Sequence, residues 1–364
     1  MSKVQLSKTH SWSAGQSAQP LPTPTGLYPY HLDLSTILGV PEPTDKLVLH
    51  VIGDSGGIAQ PQPQQLVADK MVEDAAANGA HLCYHVGDVV YFDGEVGQFY
   101  AQFYEPMTSY KPPIVGIPGN HDGDPVAGDT SLNGFMRYFC ASTPQILPES
   151  KDAPKVTRMQ PNCYWTLTAE LATIIGMYTN VPSGGEVDDV QVTWLVEELN
   201  SAPTDRALLV ALHHPPVSAD SHHGGSAKML ALLDAACTKA KRFPDLVMAG
   251  HVHNWQRFTR KPGGKTQPNW DIPYLVVGAG GYWHLHNCPT GLALPWNDPN
   301  TDFTLENFVD DHHGFLRLTI SKTAIEGQYY TVPRPQEAWS NPAVLADSFI
   351  LDLAKHTVST GGLQ

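Results

Sequence analysis

The sequence predicts an α/β fold in which two β-sheets face each other and helices cover the outside. Three observations carry the prediction. Between residues 47 and 117, apolar runs of strand length alternate with helical stretches, which is the signature of a strand-helix-strand unit. Apolar runs in both halves of the chain stop at a motif of Gly, Asp, Asn or His, as strands do when they end at a common crevice. Residues 164–168 and 172–178 read as a hairpin that begins a second sheet.

Taken in order, residues 1–46 read as a Pro-rich arm, because Pro20, Pro22, Pro24, Pro29, Pro41 and Pro43 discourage regular structure. Leu47-Val48-Leu49-His50-Val51-Ile52 is the first strand. Residues 64–78 follow as a helix, with Leu66, Val67, Met71 and Ala75 near helical spacing and Gly79 closing it. Leu82-Cys83-Tyr84-His85-Val86 is the second strand and delivers Gly87-Asp88-Val89-Val90-Tyr91. A short aromatic helix over 98–107 leads to the strand Ile114-Val115-Gly116-Ile117 and the turn Gly119-Asn120-His121-Asp122. Residues 124–161 carry several Gly, Pro and Ser residues and read as a loop over the site. Farther on, 190–200 and 227–241 are helices, while strands 207–212 and 246–249 end at His213 and at Gly250-His251-Val252-His253. Stretches 273–281, 315–320 and 325–330 are assigned to the second sheet, and 282–313 to a long aromatic, His-rich loop. The main domain is set at 47–335, with 336–364 as an extension packed on it.

Composition narrows the function. The 364 residues are 41% hydrophobic and 16% charged, the balance of a soluble globular protein. A formal net charge of -14 without a Lys/Arg cluster argues against a nucleic-acid or anionic-membrane surface. An anionic substrate would therefore need positive charge gathered in one cleft, from metal ions and histidines. Residues 1–24 contain no apolar core of a signal peptide, and no stretch reaches transmembrane length. The cysteines are scattered without a Cys-x-x-Cys pair, so a disulfide framework is not expected and cytoplasm is the expected location.

The strand-end motifs supply Asp54, Asp88, Tyr91, Asn120, His213, His251 and His253. Oxygen ligands suit a hard cation and imidazoles suit Zn, Fe or Mn, so the set describes a site for two metal ions. Asp88 is the natural bridge, because each of its oxygens can take one of two cations about 3.5–4 Å apart. Asn120 can ligate only through its carbonyl oxygen. His251 and His253 share a face if the strand continues, and reach different ions if the backbone bends. His50, His81 and His85 are read as structural, and His284, His286, His312 and His313 as loop or rim residues that shape substrate access. Taken singly, an Asp or Asn after a strand is a turn residue. A whole ordered series of such motifs reverses that reading.

That series resembles the metallophosphoesterase superfamily and, within it, the purple acid phosphatases. The family blocks are Asp-x-Gly, Gly-Asp-x-x-Tyr, Gly-Asn-His-Asp/Glu, Val-x-x-His and Gly-His-x-His, and all occur here in order between Asp54 and His253. Tyr91 discriminates: other branches carry Asp-x-His in the first block, where this chain has Gly56, and lack the tyrosine. The resemblance implies the calcineurin-like fold, a four-layer αββα sandwich of two facing mixed sheets, in its compact form without the amino-terminal β-sandwich of the large plant type. It implies Fe(III) on Asp54, Asp88, Tyr91 and His253, with a charge-transfer colour from the phenolate. A divalent Fe, Zn or Mn is implied on Asp88, Asn120, His213 and His251. His121, His222 and His223 match histidines that contact phosphate or protonate the leaving group. The implied activity is that of an acid phosphatase, in which a metal-bound hydroxide hydrolyses phosphomonoesters. A phosphodiesterase or nucleotide pyrophosphatase with the same two metals is the alternative; against a non-catalytic phosphate- or metal-binding protein stand the three histidines, which pure metal storage would not need. One departure lies after His253, where Asn254-Trp255-Gln256-Arg257 stands and similar enzymes have Tyr-Glu-Arg at the last three places.

Overall fold

A computed structural model describes residues 21–123, 132–180, 185–263, 268–299 and 301–361. The polar stretch before residue 21, and residues 124–131 of the expected loop, lie outside the described residues. The described chain begins with β1 (His31–Asp33) and the short α1 (Leu34–Leu38) inside the segment expected to be an irregular arm. Its prolines flank a Pro-free window, and there His31, Leu32 and Asp33 pair in parallel with Thr166, Leu167 and Thr168. Next come β2 (Leu47–Ile52), α2 (Gln62–Asn78), β3 (Leu82–His85) and β4 (Ile114–Gly116), as the apolar spacing predicts. The aromatic helix expected before β4 is a π-turn over Tyr100–Tyr104.

A four-residue α3 (Asn120–Gly123) and then α4 (Asn133–Phe139) follow. The latter corrects the expectation of a structureless loop over 124–161. Tyr138 packs on Phe103 with ring centroids 4.7 Å apart, and aromatic burial of this kind stabilises a helix that Gly and Ser composition hides. The hairpin β5 (Trp165–Thr168) and β6 (Ala172–Gly176) is as expected. α5 (Asp189–Ser201) and α6 (Ala227–Ala240) begin at Asp188 and Ser226, whose side chains accept from the Gln191 and Met229 amides. β7 (Ala207–Ala211) and β8 (Leu246–Ala249) flank α6. The remaining strands are β9 (Trp255–Arg260), β10 (Ile272–Val277), β11 (Trp296–Asn297), β12 (Phe303–Val309), β13 (Gly314–Ile320), β14 (Ala324–Thr331), β15 (Val344–Asp352) and β16 (Thr357–Thr360).

Among the described residues the strands form two mixed sheets, ordered β1-β5-β6-β7-β8-β10-β9-β12-β11 and β16-β15-β14-β13-β2-β3-β4. Three expectations are corrected by this order. β13 and β14 belong to the sheet of β2, with Leu316 and Leu318 paired antiparallel to Val51 and Leu49. Residues 336–364 contribute β15 and β16 to that same sheet, so they extend it where an extension packed on the domain was expected. The loop 282–313 contains β11 and β12, which continue the other sheet past β9. Apolar alternation reports which face of a strand is buried, and says nothing about which neighbour it pairs with.

The side-chain period of two builds the layers. Leu49, Val51, Leu82, Tyr84 and Val115 of one sheet meet Leu167, Ile174, Leu209, Ala211 and Met248 of the other in a single core. The alternate residues Ile52, Cys83, Leu208 and Val210 point outward and pack with Leu66 and Met71 of α2, and with Leu195 and Leu233 of α5 and α6. The architecture is therefore helix, sheet, sheet, helix. Among the described residues, no helix is long and apolar enough to cross a membrane.

This arrangement gathers the site. β2, β3 and β4 are adjacent and parallel in one sheet, and β7 and β8 are adjacent and parallel in the other. Their carboxyl ends deliver Asp54, Asp88, Asn120, His213 and His251 to one edge. Gly280 N–H donates to the Gly53 carbonyl at 3.0 Å and stitches the two sheets together there.

Candidate metal centre

The loops that follow these strands hold unusual backbone. Asp54, Asp88 and His251 have φ of 55°, 54° and 67°, the left-handed region that non-glycine residues avoid. Backbone bonds hold them there: Asp54 N–H donates to Gly87 O at 2.9 Å, and Ser55 N–H donates to Asp88 O at 3.1 Å. Gly250 N–H likewise donates to His213 O at 3.0 Å. Strain held by surrounding bonds at three converging residues is characteristic of a functional site. The turn at His251 also resolves the choice left open between strand and bend. Its chain bends, so His251 faces Asn120, with Nδ1 3.0 Å from Oδ1, while His253 faces Tyr91, with Nε2 3.2 Å from the hydroxyl.

Proton counting shows what the pocket is short of. His213 Nδ1 donates to the Val86 carbonyl at 2.9 Å, which leaves Nε2 between Asn120 Oδ1 at 3.2 Å and Asp88 Oδ2 at 3.3 Å. One nitrogen can give at most one proton to those two oxygens, and Asp88 Oδ2, fully buried, makes no hydrogen bond. The Tyr91 hydroxyl lies 3.3 Å from Asp54 Oδ1 and 3.2 Å from His253 Nε2, again one proton for two acceptors. His253 Nδ1 is committed to the His284 carbonyl at 2.9 Å, so its Nε2 is a lone pair turned inward. The pocket therefore has more acceptors than protons, and a buried acceptor left unpaired is costly. Cations would satisfy it. Donor atoms of Asp88, His213 and His251 lie within 4.8 Å of one another. The residues present thus fit two cations, one among Asp54, Tyr91 and His253 and one among Asn120, His213 and His251, with Asp88 between them.

Electrostatics agree. Burial, followed by repulsion from Asp88, raises the Asp54 carboxyl well above its usual range, although His213 opposes this. Asp88 is pushed up by burial, but His213 and His121 hold it below the usual carboxylate range. Burial alone would lower the His213 pKa, yet the Asp88 carboxylate beside it lifts it to about 9. Burial, Asp88 and Asp54 together raise the Tyr91 phenol well above its ordinary value. His251 and His253 are driven well below the usual imidazole value by burial and neighbouring histidines. Positive charge placed among these groups would relieve the repulsion between the carboxylates and favour the phenolate.

Several supporting residues were not singled out from the sequence. Asp122 is buried and accepts from the amides of Val89, Val90 and Gly119, which fixes the Asp88 turn against the Asn120 turn. Its place three residues after Gly119 was the available signal. Gln102 clamps Tyr91 from both sides, accepting its N–H at 2.9 Å and donating to its carbonyl. Tyr282 stacks on the Tyr91 ring at 4.1 Å. Gly56 matters for the same ring: a Cβ there would come within 2.9 Å of Tyr91 Cδ2 and 2.4 Å of Gln102 Oε1. A tyrosine at position 91 and a larger residue at position 56 therefore compete for one space. Gly119 is tighter still, since a Cβ would fall 2.1 Å from Asp88 Oδ1 and 2.5 Å from Asp88 N. Backbone cannot yield as a flexible side chain does. Gly119→Ala is therefore expected to weaken zinc binding at this centre by roughly 10–100-fold, the usual loss when a ligand's support is disturbed. Equilibrium dialysis checks it, with far-ultraviolet circular dichroism as the control for folding.

The other histidines divide. His121 packs on Tyr91 with centroids 4.5 Å apart; its amide donates to Asp88 Oδ1 at 2.9 Å, and its Nδ1 lies 2.7 Å from the Phe92 carbonyl. His222 and His223 are exposed on the loop before α6, and the His223 ring stands 4.4 Å from His251. His214 is buried beside the Thr179 hydroxyl at 2.8 Å. His286 was expected at the rim, yet it is buried and stacks on His253 at 4.2 Å. His50 and His85 are structural as expected, bonded to Asp74 and to Ser55 respectively, each at 2.8 Å.

Comparison with known proteins identifies the family. The family model described as calcineurin-like phosphoesterase matches residues 47–255. Purple acid phosphatase 23 of Arabidopsis thaliana is 29% identical over 189 residues, covering 50% of this chain and 37% of the plant protein. The 3',5'-cyclic adenosine monophosphate phosphodiesterase CpdA of Escherichia coli K12 is 27% identical over 185 residues, covering 46% of this chain and 55% of the enzyme. The chain thus spans about half, or less, of the length of these curated relatives. The solved structure of purple acid phosphatase PPD1 from yellow lupin (Lupinus luteus) seeds superposes with a TM-score of 0.61 at 16% identity, covering 89% of this chain and 58% of that one. With its strand-end motifs, its two mixed sheets and a tyrosine in the metal pocket, the chain belongs to the calcineurin-like phosphoesterase family and is purple acid phosphatase-like within it.

Proposed function

We propose that this protein hydrolyses phosphate monoesters at a dinuclear centre. In this reading Fe(III) is held by Asp54, Asp88, Tyr91 and His253, and a divalent Fe, Zn or Mn by Asp88, Asn120, His213 and His251. The observation that carries it is the Tyr91 hydroxyl, lodged between Asp54 Oδ1 and His253 Nε2 and one carboxylate away from the other cluster. Two such cations supply Lewis acidity toward the phosphoryl oxygens and a water acidic enough to attack at working pH. The chain's residues do the rest. Asp88 spans the two halves and is kept in place by the His121 amide. Imidazoles of His121, His222 and His223 line the approach, bind the phosphoryl oxygens and deliver a proton to the leaving alkoxide. The aromatic floor of Tyr282 and Tyr91 keeps water from the inner face.

A diesterase remains a second reading, because one relative is a cyclic nucleotide phosphodiesterase. Turnover of p-nitrophenyl phosphate against its bis ester decides between them. Monoester hydrolysis, two metal ions per chain and a visible absorption band that disappears in Tyr91→Phe are the expected results. Hydrolysis of the bis ester alone would make the second reading correct, and a colourless iron-free protein would remove Fe(III) from the first.

A further inference from the structure

Next to the dinuclear centre stands a second set of donors that the reaction described above does not require as a unit. His222, His223 and His286 each offer a nitrogen, and these atoms lie within 4.8 Å of one another. Their rings form a nearly equilateral triangle, with centroids 4.7 Å apart for His222 and His223, 4.6 Å for His222 and His286, and 4.7 Å for His223 and His286. The planes are inclined by 70°, 50° and 61°, so the rings present edges instead of stacked faces. Three imidazoles on one tetrahedral ion, each nitrogen about 2 Å from it, put their ring centres about 5 Å apart. The spacing here is already close to that.

Two segments make the triangle, and both are anchored. The Asp220 carboxylate accepts the amides of His222, His223 and Gly224 at 3.0, 3.1 and 2.8 Å, which sets the loop's shape. Ser221 N–H and Oγ both donate to the Asn287 carbonyl, at 3.0 and 2.8 Å, and tie the loop to the residue after His286. Asp220 Oδ2 also lies 3.7 Å from His286 Nδ1, too far for a hydrogen bond but near enough to place a negative charge beside the ring, while that nitrogen accepts the His253 amide at 3.3 Å. That negative charge offsets repulsion between an ion here and cations in the neighbouring pocket.

We infer that His222, His223 and His286 form a third cation site, selective for zinc and similar late first-row divalent ions, beside the dinuclear centre. All-nitrogen ligands favour such ions over Mg²⁺ or Ca²⁺, and three ligands leave a fourth position open to water. An ion there takes up the imidazoles that would otherwise meet the leaving group, so excess zinc would act as a brake on turnover. The site's existence rests on its own donors; only the brake depends on the proposed activity.

Zinc titration of the metal-loaded protein, read by equilibrium dialysis with elemental analysis, tests the site directly. One further zinc per chain is expected beyond the dinuclear pair, and none with Mg²⁺ as probe. His222→Ala, at an exposed position that leaves the core untouched, and His286→Ala should each weaken that further ion by at least tenfold while the pair stays bound. In Asp88→Ala the pair should be lost and the third ion kept, so the two sites fail separately. Co²⁺ as probe should give a tetrahedral absorption spectrum in Asp88→Ala that vanishes in Asp88→Ala/His222→Ala. A wild-type protein that saturates with the pair alone, or a further ion unaffected by both histidine variants, overturns the inference.

Discussion

Asp88→Ala is expected to abolish binding of both metal ions and to reduce phosphatase turnover to the level of buffer. Asp88 is the one carboxylate that faces both halves of the pocket. Its Oδ2 is 3.3 Å from His213 Nε2 and has no hydrogen-bond partner among the described residues, and its Oδ1 accepts the His121 amide at 2.9 Å. Removing it takes away the shared oxygen ligands and leaves Asp54 as the one remaining carboxylate among the proposed ligands. Metal ions contribute several kcal/mol of charge stabilisation in such reactions, so a loss of about 10³-fold or more in turnover is expected. Elemental analysis and p-nitrophenyl phosphate turnover measure the two effects together. A variant that still holds two ions and turns over within tenfold of the wild type would sink the bridge, whatever the fate of the other ligands. The main chain at Asp88 stays tied through Ser55 N–H and the Asp122 carboxylate, so folding is expected to survive the change.

Asp347→Ala is expected to be the most destabilising single change outside the centre. Arg257 on β9 and Asp347 on β15 come from opposite sheets and are both buried. They form a two-bonded pair, Nε to Oδ2 at 2.8 Å and Nη2 to Oδ1 at 2.9 Å, and Trp255 Nε1 donates to the same carboxylate at 3.2 Å. Truncating the acid leaves a guanidinium buried without its counter-charge, which costs roughly 3–5 kcal/mol. In a chain of this size that corresponds to a fall in melting temperature of about 4–7 °C. Replacing both partners with apolar residues of similar volume, Arg257→Met with Asp347→Leu, should recover most of the loss, because no charge is then stranded. Calorimetry on the three proteins checks the sequence of effects. An Asp347→Ala protein that melts with the wild type would mean that the pair does not hold the sheets together.

The departure after the last metal motif falls at Trp255 and Gln256, where similar enzymes have Tyr and Glu, while Arg257 matches their Arg. Here the stretch runs straight into β9. Asn254 donates to the His286 carbonyl at 2.8 Å and Gln256 to Asn254 Oδ1 at 2.9 Å. This stretch supports the histidine loop from beneath.

Legibility followed locality. Asp54, Asp88, Asn120, His213 and His251 were readable because each sits at the end of an apolar run, and a strand's end is a position that sequence marks. Tyr91 was readable because its spacing from Asp88 falls within one turn. His286 was not, since its importance comes from stacking on His253 and approaching His222, contacts between stretches more than thirty residues apart in sequence. Gln102 was hidden for a related reason, and so was the role of Asp122, although its place in the Gly-Asn-His-Asp motif was visible. Both hold backbone amides, and nothing in a side chain's identity announces which amide it will meet.

By itself the sequence determined the strand-end motifs, their order, the alternation of strands and helices, and the faces each strand buries, because these depend on residue chemistry and on periods of two and 3.6 residues. Tertiary structure alone decided that β13 to β16 join the sheet of β2, that His251 and His253 part company at a left-handed turn, and that three further histidines close into a triangle. Those outcomes depend on which distant backbone groups find each other, and pairing energies of that kind are settled only when the whole chain is compact.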